Sequence, residues 1–337
     1  MKKLISKNFL MRLKRGLIVI ACIVLLYVLG PKVAQSNFSP EIDTLSVKLS
    51  EVDSLVREKN KNPIIKPDNQ SKIYWADSIG KKTTYVLLYL HGFSACPMEG
   101  DPVYSEFAKQ YKMNAYAPLL AENGLREKEA MINFTGKKYL ESAKEALSIA
   151  QAMGDSVIIM STSTGSTAAL FLASAENKIH SLICYSPNIR VYDSRAFLLT
   201  GPWGLEIARL VKGGKYHSWE APEEAKPYWH TKYRLEAVLE LQHLLESTMN
   251  NDVFSKITIP VLVTYYFEDE EYQDKVVSVS EIIAMTKNLG TESKKLSVLN
   301  IKEAKVHAMA CGIFNENTER VLNETCKFAN EVLYLDK

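Results

Sequence analysis

The chain has five cysteines in 337 residues, none at a spacing that holds a metal. No metal module or cysteine framework is therefore expected. Cys96 and Cys311 fall in loops where a disulfide is conceivable in an oxidising compartment, with two unrelated thiols as the simpler expectation. Neither a dinucleotide glycine fingerprint nor a phosphate loop is present, and no segment repeats, so nothing points to a nucleotide cofactor or a solenoid. A basic surplus is missing too. The formal charge is +2, but Lys2, Lys3, Lys7, Arg12, Lys14 and Arg15 supply six positive charges with no acid among them, and +2 less six leaves −4 for the remainder. A mildly acidic body offers no basic face to nucleic acid. No apolar run reaches the ~20 residues that cross a bilayer comfortably.

The nearest approach is residues 17–29, an unbroken apolar run ended by Gly30-Pro31. A basic start followed by such a run reads as a signal peptide or an uncleaved signal-anchor. Pro31 and Lys32 disfavour cleavage, and flanking Lys and Arg side chains can snorkel to lengthen the span. The expected organisation is a basic cytoplasmic tail over 1–15, a transmembrane anchor or signal over 16–34, a stalk and helix over 35–71, and one large domain over 72–337. The positive-inside rule places that domain outside the cytoplasm, on the periplasmic side in a bacterium, or free in the medium if the segment is cleaved. Within the stalk, Ser39-Pro40-Glu41 reads as a helix start. Ile42, Leu45, Leu49, Val52 and Val56 then form an apolar stripe. Two heptads are too few to assert a coiled coil, so packing against the body is the plainer expectation.

Beyond residue 72, short apolar runs alternate with helical patterns. Ile73-Tyr74-Trp75 opens the sheet, Tyr85-Val86-Leu87-Leu88-Tyr89-Leu90 reads as a strand buried on both faces, and further strands are expected near 114–118, 157–160, 179–185, 259–267 and 295–301. Helices are expected near 103–111, 136–153 and 166–175. This alternation predicts an α/β protein with a doubly wound, mostly parallel sheet. Residues 188–255 separate two strands by about seventy residues and carry Trp203, Trp219, Trp229 and Tyr233, which reads as a helical lid rather than loose loop. Its aromatics either line an apolar pocket or form the lid's own core.

Ser161-Thr162-Ser163-Thr164-Gly165 lies between the strand at 157–160 and an alanine-rich helical segment. That strand–turn–helix context is a nucleophile elbow, with Ser161 standing where G-x-S-x-G has its first glycine. A Ser/Thr-rich helix cap is the bland alternative. Upstream, His91-Gly92-Phe93 ends a buried strand and suits an oxyanion loop. The Phe93 and Thr164 amides are the expected oxyanion donors. In such enzymes an acid and then a histidine follow the serine. Of six histidines, only His307 lies after a late strand and before the C-terminal helix. His180, at the head of a strand, reads as an edge or surface residue. The acid is Asp274, in an Asp-x-Val-Val pattern, or alternatively Asp269. Asp274 is preferred if the acidic turn Glu268-Asp269-Glu270-Glu271 is an insertion.

These residues carry a resemblance. From about Ile73 onward, the His91-Gly92-Phe93 loop, the Ser163 elbow, Asp274 and His307 resemble the α/β-hydrolase superfamily, of the serine esterase and monoacylglycerol-lipase-like kind. The chain is also similar to bacterial α/β-hydrolases with an extended oxyanion loop, here Phe93-Ser94-Ala95-Cys96-Pro97-Met98-Glu99-Gly100-Asp101-Pro102. The resemblance implies an eight-stranded, mostly parallel sheet. The expected function is a Ser163–Asp274–His307 serine hydrolase cleaving acyl esters, with a small-molecule or lipid ester as substrate and no metal or cofactor. The same groups would serve a thioesterase, peptidase or acyltransferase. A membrane-tethered binding protein on the same scaffold is the non-enzymatic alternative.

Overall fold

The computed structural model describes residues 7–33, 36–42, 47–175 and 178–336. Its strands are β1 (Lys72–Tyr74), β2 (Thr83–Leu90), β3 (Asn114–Ala117), β4 (Gly154–Thr162), β5 (Ile179–Tyr185), β6 (Tyr216–Ser218), β7 (Lys232–Arg234), β8 (Val261–Tyr265) and β9 (Leu296–Asn300). Its helices are α1 (Lys7–Val28), α2 (Leu49–Asn60), α3 (Val103–Gln110), α4 (Gly136–Met153), α5 (Thr164–Ala173), α6 (Gly204–Lys212), α7 (Leu235–Thr248), α8 (Asn251–Phe254), α9 (Val279–Thr286) and α10 (Thr318–Glu331).

The main sheet runs β1-β3-β2-β4-β5-β8-β9. Every neighbouring pair is parallel except the β1–β3 edge. Among the described residues it has seven strands, one fewer than the resemblance implied. The continuous apolar runs have a simple cause: alternate side chains enter two different cores. Val86, Leu88, Leu90, Val157, Ile159, Val261 and Val263 pack with α2, α4, α5 and α7. Leu87, Tyr89, Ile158, Met160, Ile183 and Leu262 pack on the other face with α3 and α10. His180 belongs to a central strand, half-buried with its ring 5.0 Å from that of Tyr85. The edge reading failed because an interior strand can begin at its rim with a polar residue.

The stalk helix starts later than its sequence suggests. Residues 36–42 form neither helix nor strand, and among the described residues α2 begins at Leu49. Phe38 explains the delay, since its ring packs against His243 and Gly136 and draws this stretch out along the surface. Leu45 lies outside the described residues. Val52 and Val56 are buried in the main core, each worth about 1.5–3 kcal/mol, so the stripe serves packing against the body.

Residues 17–28 continue α1, with their apolar side chains exposed. Contact with the body runs through Trp203, whose indole donates to the Leu26 carbonyl at 3.1 Å. Among the described residues no helix is long and apolar enough to cross a membrane, so the transmembrane expectation finds no support. The geometry gives the reason. The 13 apolar residues 17–29 would rise only about 20 Å as helix against a hydrocarbon core of about 30 Å, and Arg12, Lys14 and Arg15 occupy the preceding turns. Lys2 and Lys3 lie outside the described residues.

The inserted segment is mixed in structure. A short 3₁₀ turn at Ser194–Leu199 and α6 precede an antiparallel β6–β7 hairpin. From Leu235 onward the chain returns to the body, because Ala237, Leu241, Leu244 and Leu245 of α7 enter the main core.

Candidate active site

Ser163 joins β4 to α5 with φ 54° and ψ −121°, a backbone state that costs a non-glycine residue about 1–3 kcal/mol. The surroundings hold it there. Its N–H donates to the Tyr185 carbonyl, and its own carbonyl accepts from the Ser166 and Asn188 amides, each at 3.0 Å. Gly165 is obligatory: a Cβ there would lie 2.0 Å from the Leu90 carbonyl oxygen. Ser161 fits where a glycine is usual because its hydroxyl turns into a buried polar corner, 3.0 Å from the Ser166 hydroxyl and donating to the Ile183 carbonyl at 3.3 Å.

At the end of β2, His91 is fully buried and its pKa is pushed down to about 4 by that burial. Its Nε2 accepts the Leu120 amide at 2.9 Å, so Nδ1 carries the proton and donates to the Gly92 carbonyl at 2.8 Å. The Tyr139 hydroxyl donates to the His91 carbonyl at 2.7 Å. His91 is thus a neutral pin for the loop. Among the described residues neither the Phe93 nor the Thr164 amide donates to a backbone acceptor, and Thr164 opens α5, where the first amides have no intrahelical partner.

Asp274 and His307 meet. The His307 Nδ1 donates to Asp274 Oδ2 at 2.7 Å, while the amides of Val276 and Val277 donate to Oδ1 at 2.8 and 3.2 Å. Burial would raise the Asp274 pKa, but His307 and these two amides outweigh it and hold the carboxylate below its ordinary range. For His307 burial works downward, and the charges of Asp274 and Glu99 prevail, so its pKa is raised. The loop after β8 closes on itself through a Phe267–Gln273 bridge, and the Asp274 amide returns to the Tyr266 carbonyl at 3.1 Å. Asp269 stays in that exposed turn, accepting the Glu271 and Tyr272 amides at 2.9 and 2.8 Å. Among the described residues, the Ser163 hydroxyl makes no hydrogen bond to His307; in unliganded sites this contact is commonly long and tightens with substrate.

Two features escape sequence reasoning. Glu99 is buried beside Ser163 and accepts the Gly92 amide through Oε2. A lone acid in the otherwise uncharged stretch from Phe93 to Gly100 was the available signal. The aromatics of the inserted segment also divide their roles. The Phe93 ring stands edge-on to Phe134 and Tyr233 at 4.9 and 5.2 Å, while Trp229 packs with Ala95, Ala308 and Cys311. Trp203 instead meets the N-terminal segment. Cys96 and Cys311 are buried free thiols, both pushed up to about 12 by burial. A cavity of about 630 Å³ lies elsewhere, lined by Lys59, Asn60, Leu120, Asn123 and Glu145.

No family model and no curated protein matches the chain. Solved structures do. A structure of the metagenome-derived lipolytic enzymes LipS and LipT shares 14% identity with a TM-score of 0.61, covering 78% of this chain and 98% of that one. The putative non-heme bromoperoxidase BpoC of Mycobacterium tuberculosis H37Rv shares 14% identity with a TM-score of 0.54, covering 80% and 98%. Est1E from Butyrivibrio proteoclasticus shares 16% identity with a TM-score of 0.50, again covering 80% and 98%. At such identities the likeness is one of fold, shared by proteins with different chemistries.

Proposed function

We propose that this chain, which has the α/β-hydrolase fold, is a serine hydrolase of carboxylic esters with Ser163 as nucleophile, His307 as base and Asp274 as its orienting acid. The observation that carries the reading is the Asp274–His307 pair, its carboxylate buried and its imidazole part-exposed. It lies beyond the carboxyl ends of β8 and β9, at the same sheet edge as the strained Ser163 turn beyond β4, where open α/β sheets bind ligands.

In this mechanism the Ser163 hydroxyl attacks the ester carbonyl and passes its proton to His307 Nε2. Asp274 keeps the other ring proton on Nδ1 and stabilises the imidazolium. The Phe93 and Thr164 amides receive the oxyanion. Collapse of the tetrahedral adduct expels the alcohol, which takes the proton from His307, and leaves an acyl-serine. Water, deprotonated by His307, then releases the acid and restores Ser163. The Phe93–Phe134–Tyr233 cluster supports an apolar acyl group, and the lipolytic relatives in fold agree with that choice.

The N-terminal segment belongs to the same proposal as a targeting element that delivers the hydrolase domain outside the cytoplasm, supported by Arg12, Lys14 and Arg15 ahead of an exposed apolar helix. The test of the activity is labelling by a fluorophosphonate, with turnover of p-nitrophenyl esters from acetyl to lauroyl. Ser163→Ala should lose the label and about a thousandfold or more of kcat. Labelling that persists at another serine in that variant refutes the assignment.

A further inference from the structure

Among the described residues, Glu99 is the one buried acid that the proposed reaction leaves without a task. It sits on a 3₁₀ turn, Pro97–Gly100, and is 3% exposed. Its place is tightly defined by Gly92. A Cβ built on Gly92 would lie 3.0 and 3.1 Å from the two Glu99 carboxyl oxygens and 3.0 Å from Ser163 Cβ. Both carboxyl oxygens therefore come within about 6 Å of the serine's Cβ, a bound set by adding the two separations. Oε2 accepts the Gly92 N–H, and the next amide along the chain is that of Phe93. Behind Glu99, the Tyr89 hydroxyl helps to hold its carboxyl pKa down and lies 3.0 Å from the Thr162 hydroxyl on the elbow strand.

We propose that Glu99 is a positioning residue of the Ser163 reaction: it holds the Gly92 N–H, and so one side of the residue that leads into the Phe93 amide, and it places a negative charge within about 6 Å of Ser163 Cβ, where it acts on the groups of the proposed reaction. This rests on the serine-hydrolase reading. The first role follows from the backbone: Glu99 pins the 91–92 peptide through the Gly92 N–H, while His91 Nδ1 pins the 92–93 peptide, which carries the Phe93 N–H, through the Gly92 carbonyl, so Gly92 is held from both sides. The second follows from the groups around the carboxyl. Tyr89, Tyr139, Cys96, Cys311 and His307 all lie within electrostatic reach. The two tyrosines are pushed well above 10 by burial and the two thiols to about 12. Of these five groups His307 alone has its ordinary range near neutrality, and the Glu99 charge raises its pKa from there. Burial lifts Glu99 itself to about 7, with the Gly92 amide opposing. The charged forms of Glu99 and His307 thus favour one another. A proton held by His307 leaves no base, whereas a proton held by Glu99 leaves the base free and removes a negative charge from beside the oxyanion.

Two variants separate the roles. Glu99→Gln keeps an acceptor for the Gly92 amide and deletes the charge. It should retain kcat within about threefold at neutral pH while the acid limb of kcat/KM moves to lower pH. Glu99→Ala deletes the acceptor as well. It should lose about tenfold to a hundredfold in kcat with KM within twofold, since losing a whole oxyanion donor costs about 10²–10³. Phosphonate labelling of the parent is the control that keeps the two readings apart. A parent that does not label defeats the serine-hydrolase reading itself. A parent that labels, with both variants matching its kcat and its acid limb, defeats the role assigned to Glu99. Near-UV circular dichroism shows which variants keep the native packing. If Glu99→Ala unfolds, the acid limb of Glu99→Gln decides: a limb that does not move overturns the proposal.

Discussion

Replacing Asp274 by Asn tests the assignment most sharply, because the structure specifies what the amide would meet. Asp274 Oδ1 accepts two backbone amides, from Val276 and Val277. An asparagine must keep its oxygen there and therefore places its NH₂ at the Oδ2 position, 2.7 Å from His307 Nδ1. Two donors cannot face each other at that distance, so His307 moves its proton to Nε2, where it can no longer accept one from Ser163. The expected loss in kcat is about 10⁴, or about 5.4 kcal/mol of transition-state stabilisation. Stability changes too, with a defined pH signature. Asp274 is held low, so its contribution is full above the unfolded carboxylate pKa of about 3.9 and is lost as pH falls through the lower folded value. His307 is held high, so its contribution is full below about 6.5 and is lost as pH rises through the higher folded value. The stability gap between parent and Asp274→Asn should therefore be widest between about pH 4 and 6.5, on the order of 1–3 kcal/mol for a charged hydrogen bond. Urea denaturation across pH reads the gap and ester turnover reads the chemistry. Asp269→Asn, in an exposed turn, should leave both within about twofold and 0.5 kcal/mol. A tenfold or smaller loss in Asp274→Asn, or an equal loss in Asp269→Asn, refutes the assignment.

Gly165→Ala should unfold more readily by about 1–3 kcal/mol and lose activity as well, because the new methyl would press on the Leu90 and His91 carbonyls that lead into the oxyanion loop. Equal thermal midpoints for parent and variant would contradict that crowding. Tyr233→Ala should weaken long-chain ester turnover more than acetyl ester turnover, since its ring backs Phe93; a uniform effect on all chain lengths would assign it to lid packing alone. A chain beginning at Asn37 should stay folded and active, as Phe38, Val52 and Val56 keep their contacts with the body. The full chain should remain with membranes through a high-salt wash, because salt screens charge but leaves apolar burial in place. Release by salt would refute apolar attachment, and a mature terminus beyond about residue 30 would identify a cleaved signal.

The parts of this molecule legible in its sequence are those where one physical demand dominates. Strands buried on both faces must be apolar throughout, and β2, β4, β5 and β8 announce themselves in that way. The elbow was readable because a tight strand-to-helix turn needs a residue as small as Gly165 beside it. His307 stood out through position rather than pattern. Where two demands compete, the sequence misleads. The stripe from Ile42 to Val56 has helical spacing, but Phe38 has a pocket against His243 and Gly136, and that anchoring delays the helix to Leu49. In the N-terminal segment the apolar run is real, but it covers only 13 residues, and among the described residues no helix is long and apolar enough to cross a membrane. Glu99 shows a third situation, in which the signal was present and had no frame. A single acid after His-Gly-Phe is equally compatible with a solvated turn. Only the fold, by bringing Gly92, Ser163 and the 3₁₀ turn to one point, gives that carboxyl a position beside the residues of the proposed reaction.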